Sequence, residues 1–181
     1  MERIAIIGTS GSGKTTLARA LAQRLDIPHL ELDAVFHQPG WTQLPTEAFQ
    51  SRVSEFCAAD RWVTCGKYAA VRPILFQRAD TIVCLDHGRL RQTLRVLRRT
   101  VRRIVTREEL WNGNREGLRA FWWPDPEASI VRWTWDNVPR ARALFDEVER
   151  NPPHPGVRVV RLRGFDEIGD FLAAAAGGPT S

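Results

Sequence analysis

Three features of the sequence predict an α/β fold, a three-layer sandwich with helices on both faces of a parallel sheet. Short apolar runs alternate with stretches of helical periodicity along the whole chain. The first run passes into the first helix through Gly8-Thr9-Ser10-Gly11-Ser12-Gly13-Lys14-Thr15, which fits the phosphate-binding pattern GxxxxGK[ST]. At 181 residues the chain is long enough for one real core and short for two. One domain covering 1–181 is expected.

Residues 3–7 read as a buried strand, and residues 14–25 place Leu17, Leu21 and Leu25 four apart, with Ala18 and Ala22 beside them, on one helix face. Between them the glycines permit positive φ and close approach to an anion, because they carry no Cβ. Gly8, Ser10, Gly11, Ser12, Gly13, Lys14, Thr15 and Thr16 are therefore the candidate nucleotide-binding residues. The unpaired amides and positive dipole end of the following helix add to the field. In this pattern Lys14 reaches the β- and γ-phosphates, and the Thr15 hydroxyl is a magnesium ligand.

Asp26-Ile27-Pro28 ends the first helix, and residues 29–33 alternate as a second strand closed by Asp33. Ligands gather at the carboxyl ends of strands in an open α/β sheet, so Asp33 is a candidate to hold magnesium through water or to place an acceptor. A turn or cap carboxylate is the plainer alternative. Residues 36–45 (FHQPGWTQLP) form a loop with His37 and Trp41 as candidate pocket walls, and residues 46–59 a helix carrying Phe49, Val53 and Phe56.

Residues 61–65 are the third strand, followed by Gly66-Lys67-Tyr68 and a helix over 69–78 that carries Arg72. Residues 81–86 are the fourth, nearly continuous in apolar character and closed by Asp86, a candidate magnesium carboxylate. In the next helix, Leu90, Leu94, Leu97, Val101 and Ile104 form an expected core stripe. Arg91, Arg95, Arg98, Arg99, Arg102 and Arg103 run beside it, and their mutual repulsion calls for an anion or nearby carboxylates.

A polar, glycine-bearing stretch and the aromatic Phe121-Trp122-Trp123 make residues 104–126 an expected lid. Residues 128–150 resume as helix with Arg132, Arg140 and Arg142, residues 157–162 are the fifth strand, and 166–175 a final helix before a frayed end.

Bulk properties exclude several classes. Cys57, Cys65 and Cys84 are widely spaced with no CxxC pair, so neither a disulfide framework nor a zinc site is indicated. No apolar stretch approaches a membrane span and no signal peptide precedes the phosphate loop, which leads to an expected cytoplasmic location. The net charge of +5 comes almost wholly from arginine, since Lys14 and Lys67 are the only lysines. Arginine favours bidentate recognition of phosphate.

The amino-terminal phosphate loop, the alternating strands and the arginine helix leading into a lid resemble the adenylate-kinase-like family of P-loop kinases. Residues 32–41, 78–86 and 106–114 are most similar to the group described as topology modulation or adenylate-kinase-related proteins. The resemblance implies sheet order 2-3-1-4-5, magnesium-ATP on the phosphate loop and lid arginines over the phosphates. It carries ATP contact to Arg95 and Arg99, the adenine loop to Arg163 and Gly164, and acceptor binding to Arg72. Cys65-Gly66 departs from the Asp-Gly of those relatives, and a thiol cannot replace a carboxylate in a magnesium shell.

The expected activity is transfer of the ATP γ-phosphoryl to a small acceptor, a nucleoside monophosphate or nucleoside. Lys14, Asp33, Arg95 and Arg99 are the catalytic candidates, Asp33, Lys67 and Arg72 the acceptor contacts, and Thr15, Asp33 and Asp86 the magnesium set. A hydroxyl acceptor would give its proton to Asp33. A nucleic-acid-associated regulator with little turnover is the rival reading, resting on the arginine stripe and Cys65. No membrane partner is expected.

Overall fold

A computed structural model describes residues 1–121 and 129–176. Five parallel strands form one sheet in the order β2-β3-β1-β4-β5: β1 Arg3–Gly8, β2 His29–Glu31, β3 Trp62–Cys65, β4 Thr81–Leu85 and β5 Arg158–Leu162. The order is the one the family resemblance implies. β1 is central because it is apolar on both faces, as a strand covered by helices on both sides must be.

Strand alternation divides the core in two. Ile4, Ile6, Val63, Val83 and Leu85 pack against Leu17 and Leu21 of α1 (Lys14–Leu25) and Phe171 of α7 (Phe165–Ala176). Ala5, Ile7, Trp62, Ile82 and Cys84 face the other way. They meet α3 (Thr46–Cys57) through Phe49 and Val53, α4 (Arg72–Arg78) through Leu75 and Phe76, and α6 (Ile130–Arg150) through Ala141 and Phe145. All three cysteines are buried and free.

Two boundaries move candidate site residues relative to the sequence reading, and the others shift by one or two residues. The second strand stops at Glu31, and a short helix α2 (Leu32–Phe36) takes Asp33 into its first turn. The helix expected over 69–78 begins at Arg72, directly ahead of Pro73, whose fixed φ suits a first turn.

α5 (Arg89–Thr106) corrects the expected core stripe. Leu90, Leu94, Leu97 and Val101 are 65%, 44%, 36% and 46% exposed. The helix instead buries Gln92, Val96 and Thr100, because it lies against the phosphate loop rather than an apolar layer. Gln92 Oε1 accepts from Thr9 Oγ1, and Val96 packs so closely on Gly11 that a Cβ there would lie 2.7 Å from Val96 Cγ2.

Pro139 lies inside α6 and has no N–H for the Trp135 carbonyl. Arg89 satisfies that carbonyl from α5, donating from Nε at 2.7 Å while its guanidinium lies over the Trp135 ring at 3.9 Å. The two helices are thereby tied. Trp122, Trp123 and the rest of residues 122–128 in the expected lid, like the expected frayed end 177–181, lie outside the described residues. Among the described residues no helix is long and apolar enough to cross a membrane.

Candidate functional site

The carboxyl ends of β1, β2 and β3 converge beside the amino terminus of α1. Gly11 and Gly13 adopt φ of 74° and 95°, the left-handed region open to glycine, and Gly13 hands the chain into α1. Gly8 is required sterically as well, since a Cβ there would meet Ser12 Oγ at 2.6 Å. The loop is also held from β4: the buried His87 ring stands 3.0 Å from the Ser12 carbonyl and 3.1 Å from that of Arg163.

Lys14 Nζ donates to the Thr9 carbonyl at 2.8 Å, spanning the loop. Burial lowers its pKa, with Asp33 opposing and Arg99 assisting. Asp33 and Lys14 are thus near enough to feel one another's charge. Arg99 feels Asp33 as well: burial and neighbouring Arg103 depress its pKa, while Glu116 and Asp33 support its charge. Arg95 is depressed by burial.

Beside the loop, Thr15 Oγ1 donates to Glu31 Oε1 at 2.8 Å, and Arg19 holds Glu31 Oε2 at 3.2 Å. Glu31 escaped the sequence reading. Its signal was period two, which sets Glu31 and Asp33 at alternate positions of the predicted strand and pairs the former with a strand end next to α1. Cys65 Sγ lies 3.9 Å from Thr15 Oγ1 and 3.3 Å from His29 Nε2, so a thiol stands beside the Thr15 hydroxyl. Burial, then Glu31, pushes its pKa up to about 12, so it remains a neutral thiol.

Asp33 Oδ1 accepts from Tyr68 Oη at 2.5 Å, and His37 Nε2 stands 3.4 Å from the same hydroxyl. Burial and Asp33 raise the Tyr68 pKa, which keeps it a donor. Trp111 stacks on His37, with ring centres 5.9 Å apart, and Trp41 meets its edge. Nearby, Lys67 Nζ lies 5.7 Å from the Trp133 ring centre. Burial, then Lys14, Arg72 and Arg140, lowers Lys67 to about 8. Among the described residues no carboxylate lies within ion-pair distance of Lys67, Arg72 or Arg140.

Asp86 is redirected. It follows Ile82 and Cys84 on the α6 side of the sheet, where Arg142 Nε donates to Oδ1 at 2.7 Å and Arg161 Nη2 donates to Oδ2 at 2.7 Å. Burial pushes its carboxyl up, but the two guanidinium groups outweigh that and leave the pKa lowered. Both oxygens are engaged in an ion-pair anchor rather than directed at the phosphate loop. Arg163 and Gly164 begin the turn after β5, where the Arg163 amide donates to Glu167 Oε2 at 2.8 Å.

Several known proteins are similar to this chain in sequence or in fold. A shikimate kinase of Enterococcus faecalis is 54% identical over 33 residues, which are 18% of this chain and 20% of that enzyme. The chain thus matches about a fifth of that relative's length. A shikimate kinase of Acinetobacter baumannii, solved with shikimate, superposes with a TM-score of 0.56 at 17% identity, covering 100% of this chain and 96% of that one. A gluconokinase of Sinorhizobium meliloti superposes with a TM-score of 0.51 at 18% identity, covering 97% and 89%. These similarities show the P-loop kinase-like fold. Residues 4–106 match the model of a family described as AAA domain, and the chain belongs to that family.

Proposed function

We propose that this protein is an ATP-dependent kinase that transfers the γ-phosphoryl of magnesium-ATP to a small, anionic acceptor. The observation that carries it is the glycine loop, whose Gly11 and Gly13 take positive φ and deliver Lys14 and Thr15 into the first turn of α1, with Glu31 on the Thr15 hydroxyl. Lys67, whose charge is felt by Lys14, Arg72 and Arg140, adds positive potential with no carboxylate in ion-pair distance among the described residues. Phosphoryl transfer needs mainly positioning and charge neutralisation, which such a loop and its cations supply.

Amides of residues 8–16 would hold the ATP phosphates, and Lys14 would exchange the Thr9 carbonyl for phosphate oxygen. The hydroxyl of Thr15 and the carboxylate of Glu31 fit magnesium, a hard cation that takes oxygen ligands directly or through water. When bound, that ion neutralises charge on the transferred group. Tyr68 fixes one oxygen of Asp33 and leaves the other to receive a proton from an acceptor hydroxyl. Arg95 and Arg99 would close on the phosphates from α5.

A nucleoside monophosphate suits the cations around Lys67, and so do hydroxy acids like the shikimate bound in the Acinetobacter enzyme. The test is ADP release with magnesium-ATP across nucleoside monophosphates, nucleosides, sugars and hydroxy acids, beside Lys14→Ala. At least one anionic acceptor should give turnover that falls about a hundredfold or more in the variant. Matching rates on every acceptor would remove the kinase reading and make salt-dependent DNA binding, expected of the rival regulator, the next measurement.

A further inference from the structure

α5 leaves an apolar seam exposed along the described chain. Leu90, Leu94, Leu97, Val101 and Ile104 alternate in steps of four and three, the heptad spacing by which one helix receives another. Leu90, Leu94, Leu97 and Val101 are exposed by a third to two thirds, and adjoining Val105 is 77% exposed. At about 100° per residue, the seam occupies an arc of about 100°, the width of a two-helix contact.

Charge on the seam is one-sided. α5 contains no acidic residue, and Arg91 and Arg98 stand at the same position flanking the seam in successive heptads. Neither meets a carboxylate among the described residues, whereas Arg102 and Arg103 are neutralised by Glu108 and Glu116. At the first turn, Gly88, Arg89, Leu90, Arg91 and Leu94 line a shallow, open depression.

We propose that this face of α5 docks an amphipathic helix of an acidic partner protein, leucine-like residues entering the seam and carboxylates meeting Arg91 and Arg98. The arginines select against a second copy of this chain, since antiparallel pairing would set Arg91 and Arg98 of each copy against the other's. Lipid is disfavoured by the narrowness of the seam. The seam lies on the side of α5 away from Gln92 and Val96, so docking leaves the phosphate loop open.

A synthetic helical peptide with leucine at a and d and glutamate at e and g is the probe, compared by fluorescence anisotropy with the same peptide carrying lysine at e and g. The glutamate peptide should bind the full chain, more weakly at high salt, and the lysine peptide at least about tenfold more weakly. Leu94→Glu with Val101→Glu should abolish binding, and Arg91→Glu with Arg98→Glu should invert the preference. All four positions are exposed, so circular dichroism should match wild type. Absence of binding, or equal binding of both peptides, overturns the proposal. So does a concentration-dependent dimer lost in the Leu94 and Val101 variant, or binding of phosphatidylglycerol vesicles in place of the peptide.

Discussion

Thr15, Glu31 and Cys65 share one corner of the phosphate loop, and they divide its chemistry unequally. Glu31 offers oxygen to a hard cation, while the Cys65 thiol, raised to about 12 by burial, stays protonated and offers none. Glu31→Gln is therefore expected to raise the magnesium concentration needed for ATP binding about tenfold, read by calorimetry. Cys65→Asp puts an oxygen ligand in the same corner and is expected to equal or exceed wild-type turnover. A large loss of turnover would contradict this account of the metal corner. Lys67 supplies a pH dependence: its ammonium is present below about 8 and is lost as pH rises through that value. An anionic acceptor should thus bind best below about pH 8 and weaken above it, seen as a rising KM. Lys67→Arg keeps its charge, so the rise should disappear.

At the scale of elements, the edge strand β5 is held by charge as well as by the apolar packing of Val159 and Leu162. Asp86, after β4, joins Arg142 of α6 and Arg161 of β5, and Arg161 also holds Asp146 and Glu149. Asp86→Asn should lower stability by about 2 kcal/mol, below the cost of breaking an isolated buried pair because Arg161 retains two carboxylates. Its magnesium dependence should match wild type, and a changed dependence would return Asp86 to the metal set. Because the Asp86 pKa is held below the ordinary 3.8, its contribution is present above that value and is lost as pH falls through the depressed pKa. The acid limb of thermal stability should flatten in the variant. α5 shows where periodicity misleads: a leucine stripe reveals a helix and its faces, but not which face finds a neighbour. The arginine-bearing flank was legible, whereas the choice of Gln92 and Val96 as the inner face depended on a loop distant in sequence.

Across the whole molecule, two segments distant in sequence are joined by side-chain amides. Asn112 Nδ2 donates to the Ala34 and His37 carbonyls, and Asn114 Nδ2 donates to the Gln38 carbonyl while its Oδ1 accepts from the Trp41 amide. Asn114 is 3% exposed, so Asn114→Ala strands buried partners and should cost about 2 kcal/mol of local stability. Hydrogen exchange at residues 36–42 and 109–115 should then rise together by about thirtyfold, with the sheet unaffected. Unchanged exchange in either segment would show that the junction does not couple them. The sequence by itself determined the phosphate loop, the five strands and the alternation that buries both faces of the sheet. These follow from local rules: glycine's freedom at positive φ, the periods of strand and helix, and turn residues between them. Only the tertiary structure decided that Glu31 meets Thr15, that Asp86 turns to two arginines, and that the leucines of α5 face outward. Each depends on which surfaces meet after the chain folds, and a local pattern carries no record of its distant neighbour.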